Sequence, residues 1–301
     1  MKLKFHTLDV FTAEPFTGNG LAVVLDADGL SDQRMQDVAR EFNLSETIFV
    51  QRPEDEAHTA KVRIFMPGGE LPFAGHPTIG CAVLLASLKY KSGCSFETDI
   101  LLEEKAGLVP VKVSRIGGAP RAVFTAPKLP QKIGKAPSNS KIARGLGLDE
   151  DRIGFLSHRP GVFAAGNPFL FVPVGNMEAL GLARVIEPHW SDMLQESGAF
   201  CAYIYTAGGA MRDTSFRARL YAPNEGIPED PATGSAAATL PGQIHFHESL
   251  EDGRYRWQIE QGYEMGRPSQ IAVEAEISGG SITVVRVGGQ AVHVSEGTIE
   301  F

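Results

Sequence analysis

Residues 66–78 read Met66-Pro67-Gly68-Gly69-Glu70-Leu71-Pro72-Phe73-Ala74-Gly75-His76-Pro77-Thr78. They separate a strand predicted for Ala60 to Phe65 from a helix predicted for Pro77 to Leu88, which is apolar nearly all round and therefore expected to be buried. Gly75 permits close approach of a ligand to the backbone. His76 stands at the helix start, where free N–H groups attract an anion and an imidazole can move a proton. The stretch is therefore either part of a binding site or a turn with a capping histidine.

A second stretch of this kind precedes the Ala-rich helix predicted for Thr233 to Leu240. It reads Asp230-Pro231-Ala232-Thr233-Gly234-Ser235-Ala236. Asp230 precedes a proline, so its backbone is expected to be extended. The hydroxyl and N–H groups that follow predict a second anion site, with an ordinary N-cap on a core helix as the alternative. Pro241 is expected to shorten this helix.

Glu46 is the third candidate. It follows a helix predicted for Ser31 to Glu41 and opens the apolar strand predicted for Thr47 to Gln51. A carboxyl group flanked by apolar side chains at a strand mouth is a candidate to take and return a proton near neutral pH. The alternative is a surface glutamate at a helix–strand junction.

The remaining chain predicts many short strands. Its 301 residues include 33 glycines and 19 prolines, which punctuate short apolar runs rich in Val, Ile and Phe. In each half of the chain the predicted elements have the same order, which is several strands, one buried helix and then more strands. This order predicts a diverged duplication, two half-barrels each wrapped around a central helix, with a linker at Ala126 to Ser140. The alternative is one mixed α+β domain without symmetry.

Composition excludes some classes of function. A net charge of −8 and a pI of 5.5 argue against a nucleic-acid surface, although a small anionic substrate remains compatible. The N-terminus lacks the apolar region of a signal peptide, and the apolar run within Ile79 to Leu88 is too short to span a bilayer, so a cytoplasmic protein without a membrane partner is expected. His245 and His247 lack an evident third ligand, which argues against a metal site there. The three cysteines form no CxxC pair and indicate reduced thiols, at Cys81, Cys94 and Cys201.

Taken together, the motifs resemble the PhzF-like phenazine-biosynthesis family of the diaminopimelate-epimerase superfamily. The matching stretches run across nearly the whole chain, in the family's order. They are Thr7-Leu8-Asp9-Val10-Phe11, Phe16-Thr17-Gly18-Asn19, Glu41-Phe42-Asn43-Leu44-Ser45-Glu46-Thr47, Arg63-Ile64-Phe65, residues 70–78 and residues 230–235.

The resemblance implies an α+β fold of two pseudo-twofold-related domains, each a β-barrel around a central α-helix. The first domain would comprise residues 1–127 and about 289–301, and the second residues 128–288, with the active site in the cleft between them. A homodimer and the use of no metal or organic cofactor are also implied.

In this family the residue at Glu46 is the general acid–base, so the resemblance implies catalytic roles for Glu46, His76 and Asp230. It assigns substrate binding to five further positions, which are Asn19, Gly75, Thr233, Gly234 and Ser235. Epimerases of the superfamily carry two facing cysteines, and the corresponding positions here are Ala74 and Thr233, neither of which can supply a thiolate.

The resemblance therefore implies a cofactor-independent isomerase that moves a proton within a small carboxylate-bearing metabolite, such as a dihydro-hydroxyanthranilate. An amino-acid epimerase or racemase and a non-catalytic small-molecule binding protein are the alternatives.

Overall fold

The structure is a computed structural model that describes residues 2–91 and 93–301. The chain forms two compact units. Of the described residues, the first unit comprises 2–91, 93–127, 267–270 and 287–301, and the second comprises 128–266 and 271–286. Residues 267–270 thus belong to the first unit, although the sequence assigned them to the second.

The strands of the first unit alternate with two helices. They are β1 (Lys2–Val10), β2 (Asn19–Val24), β3 (Glu46–Gln51), β4 (Ala60–Met66), β5 (Gly69–Leu71), β6 (Phe96–Glu104), β7 (Gly107–Arg115) and β8 (Arg121–Thr125). The helices are α1 (Asp32–Phe42) and α2 (Gly75–Lys89).

The strands of the second unit are β9 (Gln131–Gly134), β10 (Gly161–Ala164), β11 (Pro168–Pro173), β12 (Cys201–Ala207), β13 (Phe216–Ala222), β14 (Ile227–Asp230), β15 (Gly253–Gln261) and most of β16 (Ser269–Ser278). Its helices are α3 (Asn139–Leu146), α4 (Met177–Leu182), α5 (His189–Ser197) and α6 (Gly234–Glu248). The long last strand, β17 (Ser281–Glu300), begins in the second unit and continues into the first from Val287.

Eight strands of the first unit close into a barrel. Each strand is hydrogen-bonded to the next in the order β1, β2, β3, β4, β6, β7, β8 and β17. Strand β17 pairs with β1 and so closes the ring. Closure leaves no exposed sheet edge in this ring. The predicted barrel around a central helix is therefore confirmed for this unit.

Helix α2 occupies the interior of this barrel. It contacts β1, β2, β3, β6, β7 and β8, and all residues from Gly75 to Leu84 are buried. Gly80 permits the close approach, because a Cβ atom there would lie 2.5 Å from Leu21 Cδ2 and 2.8 Å from Val10 Cγ2. The helix that appeared apolar on every side in the sequence is buried on every side because strands surround it.

In the second unit, α6 has the corresponding place in the chain order. Strands β9, β10, β11, β12 and β13 pair in sequence, β15 joins β13 in parallel, and α6 packs on β9, β10 and β11. A separate apolar core lies under α3, α4 and α5, with the fully buried Trp190 and Met193 in it.

One expectation about α6 was wrong. Pro241 does not shorten α6, which runs on to Glu248. Proline removes one helical hydrogen bond, but Pro241 and its neighbours are buried, so packing holds the helix beyond it. The segment Ala126 to Ser140, predicted as a linker, includes the boundary between the units after Pro127 and also contains β9, a strand with exposed side chains that pairs with β10. Its short polar sequence lacks the apolar alternation that signals a strand.

Among residues 2–91 and 93–301, no helix is long and apolar enough to cross a membrane.

Candidate active site

Glu46 lies at the start of a buried strand. Helix α1 begins after Ser31, whose hydroxyl oxygen accepts a hydrogen bond from the Arg34 N–H at 3.3 Å, and ends at Asn43 in the left-handed conformation. The chain then enters β3, where Glu46 pairs in register with Leu21 of β2. The residue is only 9% exposed. The alternative of a surface glutamate is therefore wrong, because the Glu46 side chain is buried where β3 begins.

His76 brings an imidazole to this carboxylate. It is the second residue of α2 and is 3% exposed. Its Nε2 lies 3.3 Å from Glu46 Oε2, although the two groups are not aligned as a full hydrogen bond. On the other side of the ring, the Asn19 amide nitrogen lies 3.2 Å from Nδ1. An amide N–H donates, so this contact favours Nδ1 as the acceptor and the ring proton on Nε2, the nitrogen nearer Glu46.

Burial determines the charge of this imidazole. It lowers the pKa of His76 to about 3, and contact with the Gly20 backbone opposes this shift only in part. His76 is therefore neutral at physiological pH. A neutral imidazole N–H can orient the Glu46 carboxylate without neutralising it, which leaves that carboxylate able to accept a proton.

The two central helices begin without side-chain caps. Ser31, Ser138 and Asn176 cap α1, α3 and α4 through side-chain oxygens. In contrast, neither Ala74 before α2 nor Thr233 before α6 makes such a bond. Helix N-termini carry unsatisfied N–H groups and a partial positive charge, so each of these two starts can receive an anion.

Thr233 does not cap α6 because its hydroxyl belongs to another network. It donates to Asp230 Oδ2 at 2.6 Å. Gln261, fully buried, donates from Nε2 to Thr233 Oγ1 at 2.9 Å and to the Asp230 carbonyl at 2.8 Å, while its Oε1 accepts from the Thr233 N–H at 3.1 Å. These bonds fix the Asp230 carboxylate, itself buried at the end of β14. Sequence reasoning missed Gln261, since nothing in its local sequence distinguishes it.

The predicted site residues thus form two groups. Glu46, His76 and Asn19 come together in the first unit, with Gly75 as the first residue of α2. In the second unit Asp230 and Thr233 come together, and α6 opens with the two remaining predicted residues, Gly234 and Ser235.

A clamp that the sequence did not indicate fixes the loop before Asn19. Arg267 donates from Nη2 to Asp9 Oδ1 at 2.5 Å and from Nε to the Gly18 carbonyl at 2.8 Å. Asp9 Oδ2 in turn accepts from the Phe16 N–H at 2.6 Å. Arg267 and Asp9 are 258 residues apart in sequence, so no local pattern reveals the pair.

Two arginines, Arg63 and Arg219, have glutamate partners within the fold. Arg63 binds Glu70 through two N–H···O bonds of 2.6 and 2.8 Å. Arg219 binds Glu229 in the same way and also donates to three backbone carbonyls.

Two of the three cysteines are equally unsuited to catalysis. Cys81 and Cys201 are buried, and this burial raises the pKa of both thiols above the usual value. Cys94 is exposed in the segment between α2 and β6. The helix starts at Ala74 and Thr233 carry no thiol. The arrangement therefore lacks the paired thiolates of a two-base epimerase.

Comparison with known proteins identifies the family of this chain. The sequence profile of the PhzC/PhzF family, described as phenazine biosynthesis-like protein, matches residues 8–297. The chain belongs to this family. The PhzF-like chain is 43% identical over 294 residues to an uncharacterized isomerase of Mesorhizobium japonicum, covering 97% of this chain and 96% of that one.

Two further relatives extend the comparison. A trans-2,3-dihydro-3-hydroxyanthranilate isomerase of Pseudomonas aeruginosa is 34% identical over 302 residues, with 98% of each chain covered. A PhzF-family crystal structure from Bacillus anthracis superposes over 100% of both chains with a TM-score of 0.88 at 24% identity, which supports the fold. This PhzF-like protein is an isomerase, in agreement with the expected enzyme class.

Proposed function

We propose that the protein is a cofactor-independent isomerase that moves a proton between two carbons of a small carboxylate-bearing substrate, with Glu46 as the proton carrier. The observation that carries the proposal is the Glu46–His76 contact, a buried carboxylate beside an imidazole that burial keeps neutral. Glu46 removes a proton from one carbon and returns it to another carbon of the same molecule, so atoms and charge balance without an oxidant or reductant.

The named substrate of the Pseudomonas aeruginosa relative suggests the substrate class. We infer that trans-2,3-dihydro-3-hydroxyanthranilate or a closely related cyclic carboxylate is bound, with the substrate carboxylate at an uncapped helix start. Asn19 and the Gly75 N–H belong to the predicted binding set of the first unit, and Thr233, Gly234 and Ser235 to that of the second. Asp230 is proposed as a second polar group in proton transfer. The epimerase alternative is disfavoured, because the helix starts lack cysteines and two of the three thiols are buried.

The test is turnover of trans-2,3-dihydro-3-hydroxyanthranilate in D₂O, followed by ultraviolet absorbance and by deuterium incorporation. Glu46→Gln keeps the shape of the side chain but cannot carry the proton, so we expect turnover to fall at least about a hundredfold. Glu41→Gln is the matched control, because Glu41 is exposed five residues earlier in the chain.

Each outcome bears on a separate part of the proposal. Turnover by the native protein and by Glu41→Gln, but not by Glu46→Gln, supports both the substrate and the role of Glu46. Full turnover by Glu46→Gln removes Glu46 from the mechanism. A folded native protein that leaves this compound unchanged would contradict the substrate, and Asp230→Asn tests the second polar group in the same assay.

A further inference from the structure

Three potential metal ligands lie together in the first unit, on its first and last strands. His6 is on β1, and His293 and Glu296 are on β17. His6 Nδ1 lies 3.1 Å from His293 Nε2 and 3.5 Å from Glu296 Oε2. Within residues 2–91 and 93–301, these three form the one group of His, Cys, Asp or Glu ligand atoms that all lie within 4.8 Å of one another.

A β-bulge brings these side chains to one face of the sheet. In a regular strand, residues three apart point to opposite faces, so His293 and Glu296 should not meet. The register between β1 and β17 shifts, however. Thr7 pairs with Ser295 and Leu8 pairs with His293, which leaves Val294 as an extra residue. The bulge therefore turns the His293 side chain to the face of the sheet on which His6 and Glu296 lie opposite each other.

The distances fit a small tetrahedral ion. A Zn²⁺ ion with ligand bonds of about 2.0–2.1 Å holds neighbouring ligand atoms about 3.3 Å apart. The two distances measured from His6 Nδ1, 3.1 and 3.5 Å, lie on either side of this value. His6 is buried, whereas the Glu296 side chain is 72% exposed. Glu296 can therefore rotate to bring its carboxylate oxygen to the required distance from His293 Nε2.

The cluster also lines a pocket that an ion can enter. The pocket has a volume of about 520 Å³, and its walls combine the three ligands with apolar side chains such as Leu8, Val83 and Leu84. Three protein ligands leave one tetrahedral position for water or another ligand. Imidazole and carboxylate are ligands that zinc accepts readily.

We propose that His6, His293 and Glu296 bind one Zn²⁺ ion at this pocket, in a site separate from Glu46 and His76. The site plays no part in the proposed proton transfer, so a negative result for zinc binding would not bear on that proposal.

The experiment uses the full chain with any purification tag removed. The protein is dialysed against a chelator, transferred to chelator-free buffer and titrated with Zn²⁺ by isothermal calorimetry. Co²⁺ then serves as a spectroscopic probe of tetrahedral coordination. We expect one ion per chain, and at least a tenfold weaker affinity in His293→Ala and in Glu296→Gln. Both residues are exposed, so both variants should fold, which circular dichroism and the melting temperature of the metal-free protein verify.

His189→Ala is the matched control, since His189 is an exposed histidine of the second unit. It should bind Zn²⁺ as the native protein does, and zinc should raise the melting temperature of both. Absence of stoichiometric binding by the native protein, or equal affinity in the native protein and both ligand variants, would overturn the proposal.

Discussion

At the scale of single residues, Asn19 determines which nitrogen of His76 carries the proton. Its amide donates to Nδ1, so the ring proton faces Glu46. In Asn19→Asp the carboxylate would accept instead, the proton would move to Nδ1, and the Nε2 lone pair would face the Glu46 oxygen. We expect kcat to fall about tenfold to a hundredfold, because the imidazole N–H that faces Glu46 during proton transfer is lost. Asn43→Asp is the control, since Asn43 lies outside this contact at the end of α1.

The variant should be assayed for turnover over a range of pH, beside its circular dichroism spectrum. If Asn19 had only a structural role, the substitution would lower the fraction of folded protein, and the pH profile of turnover by the folded fraction would stay unchanged. An unchanged kcat in Asn19→Asp would show that the tautomer of His76 has no influence on the reaction.

At the scale of elements, the position of α2 depends on Gly80. An alanine there gains helix propensity of about 1 kcal/mol but must displace Leu21 and Val10, and overpacking of a filled core costs about 1–3 kcal/mol. At Gly181 in α4, an alanine Cβ would have no neighbouring atom within 4 Å. We therefore expect Gly80→Ala to destabilise the protein and Gly181→Ala to stabilise it slightly. Urea denaturation of both variants measures this, and a shift of the same sign in both would contradict the packing argument.

The sequence predicted elements well where a local signal exists. Ser31 indicated the start of α1, and an all-round apolar run indicated the buried helix α2. It failed where stability comes from distant partners. Strand β9 is polar and forms by pairing with β10, and α6 continues past Pro241 because its surroundings bury it. In the candidate site, Glu46 and His76 lie in recognisable motifs, but Gln261 and the Asp9–Arg267 pair depend on contacts that only the folded chain brings together.

At the scale of the whole molecule, two buried groups shape the dependence of stability on pH. Thr78 Oγ1 lies 2.7 Å from both Glu104 Oε1 and the Ala74 carbonyl. A hydroxyl has one hydrogen, so two full hydrogen bonds require a protonated Glu104 as the second donor. Burial agrees with this, since it raises the pKa of Glu104 from 4.5 to about 8, against a smaller opposing effect of Thr78.

The two groups act in opposite directions. The native state holds the Glu104 proton more tightly than the unfolded state, so its contribution to stability is complete below pH 4.5 and is lost as pH rises to about 8. The pKa of His76 is lowered from 6.5 to about 3, so its contribution is complete above pH 6.5 and is lost as pH falls towards 3. Between pH 4.5 and 6.5 a rise in pH lowers the contribution of Glu104 to the free energy of unfolding and raises that of His76.

We therefore expect the combined contribution of these two groups to the free energy of unfolding to be highest and nearly flat between pH 4.5 and 6.5 and to fall on both sides. On the alkaline side only Glu104 of this pair still titrates, and the slope should approach about 1.4 kcal/mol per pH unit. Glu104→Gln keeps a donor for Thr78 without a titrating proton, so it should remove the decline above pH 6.5 and leave the acid side unchanged. Urea midpoints measured from pH 4 to 9 test this, with the exposed Glu97→Gln on the same strand as control. An alkaline decline that persists in Glu104→Gln, or that disappears equally in Glu97→Gln, would show that the loss of stability originates elsewhere.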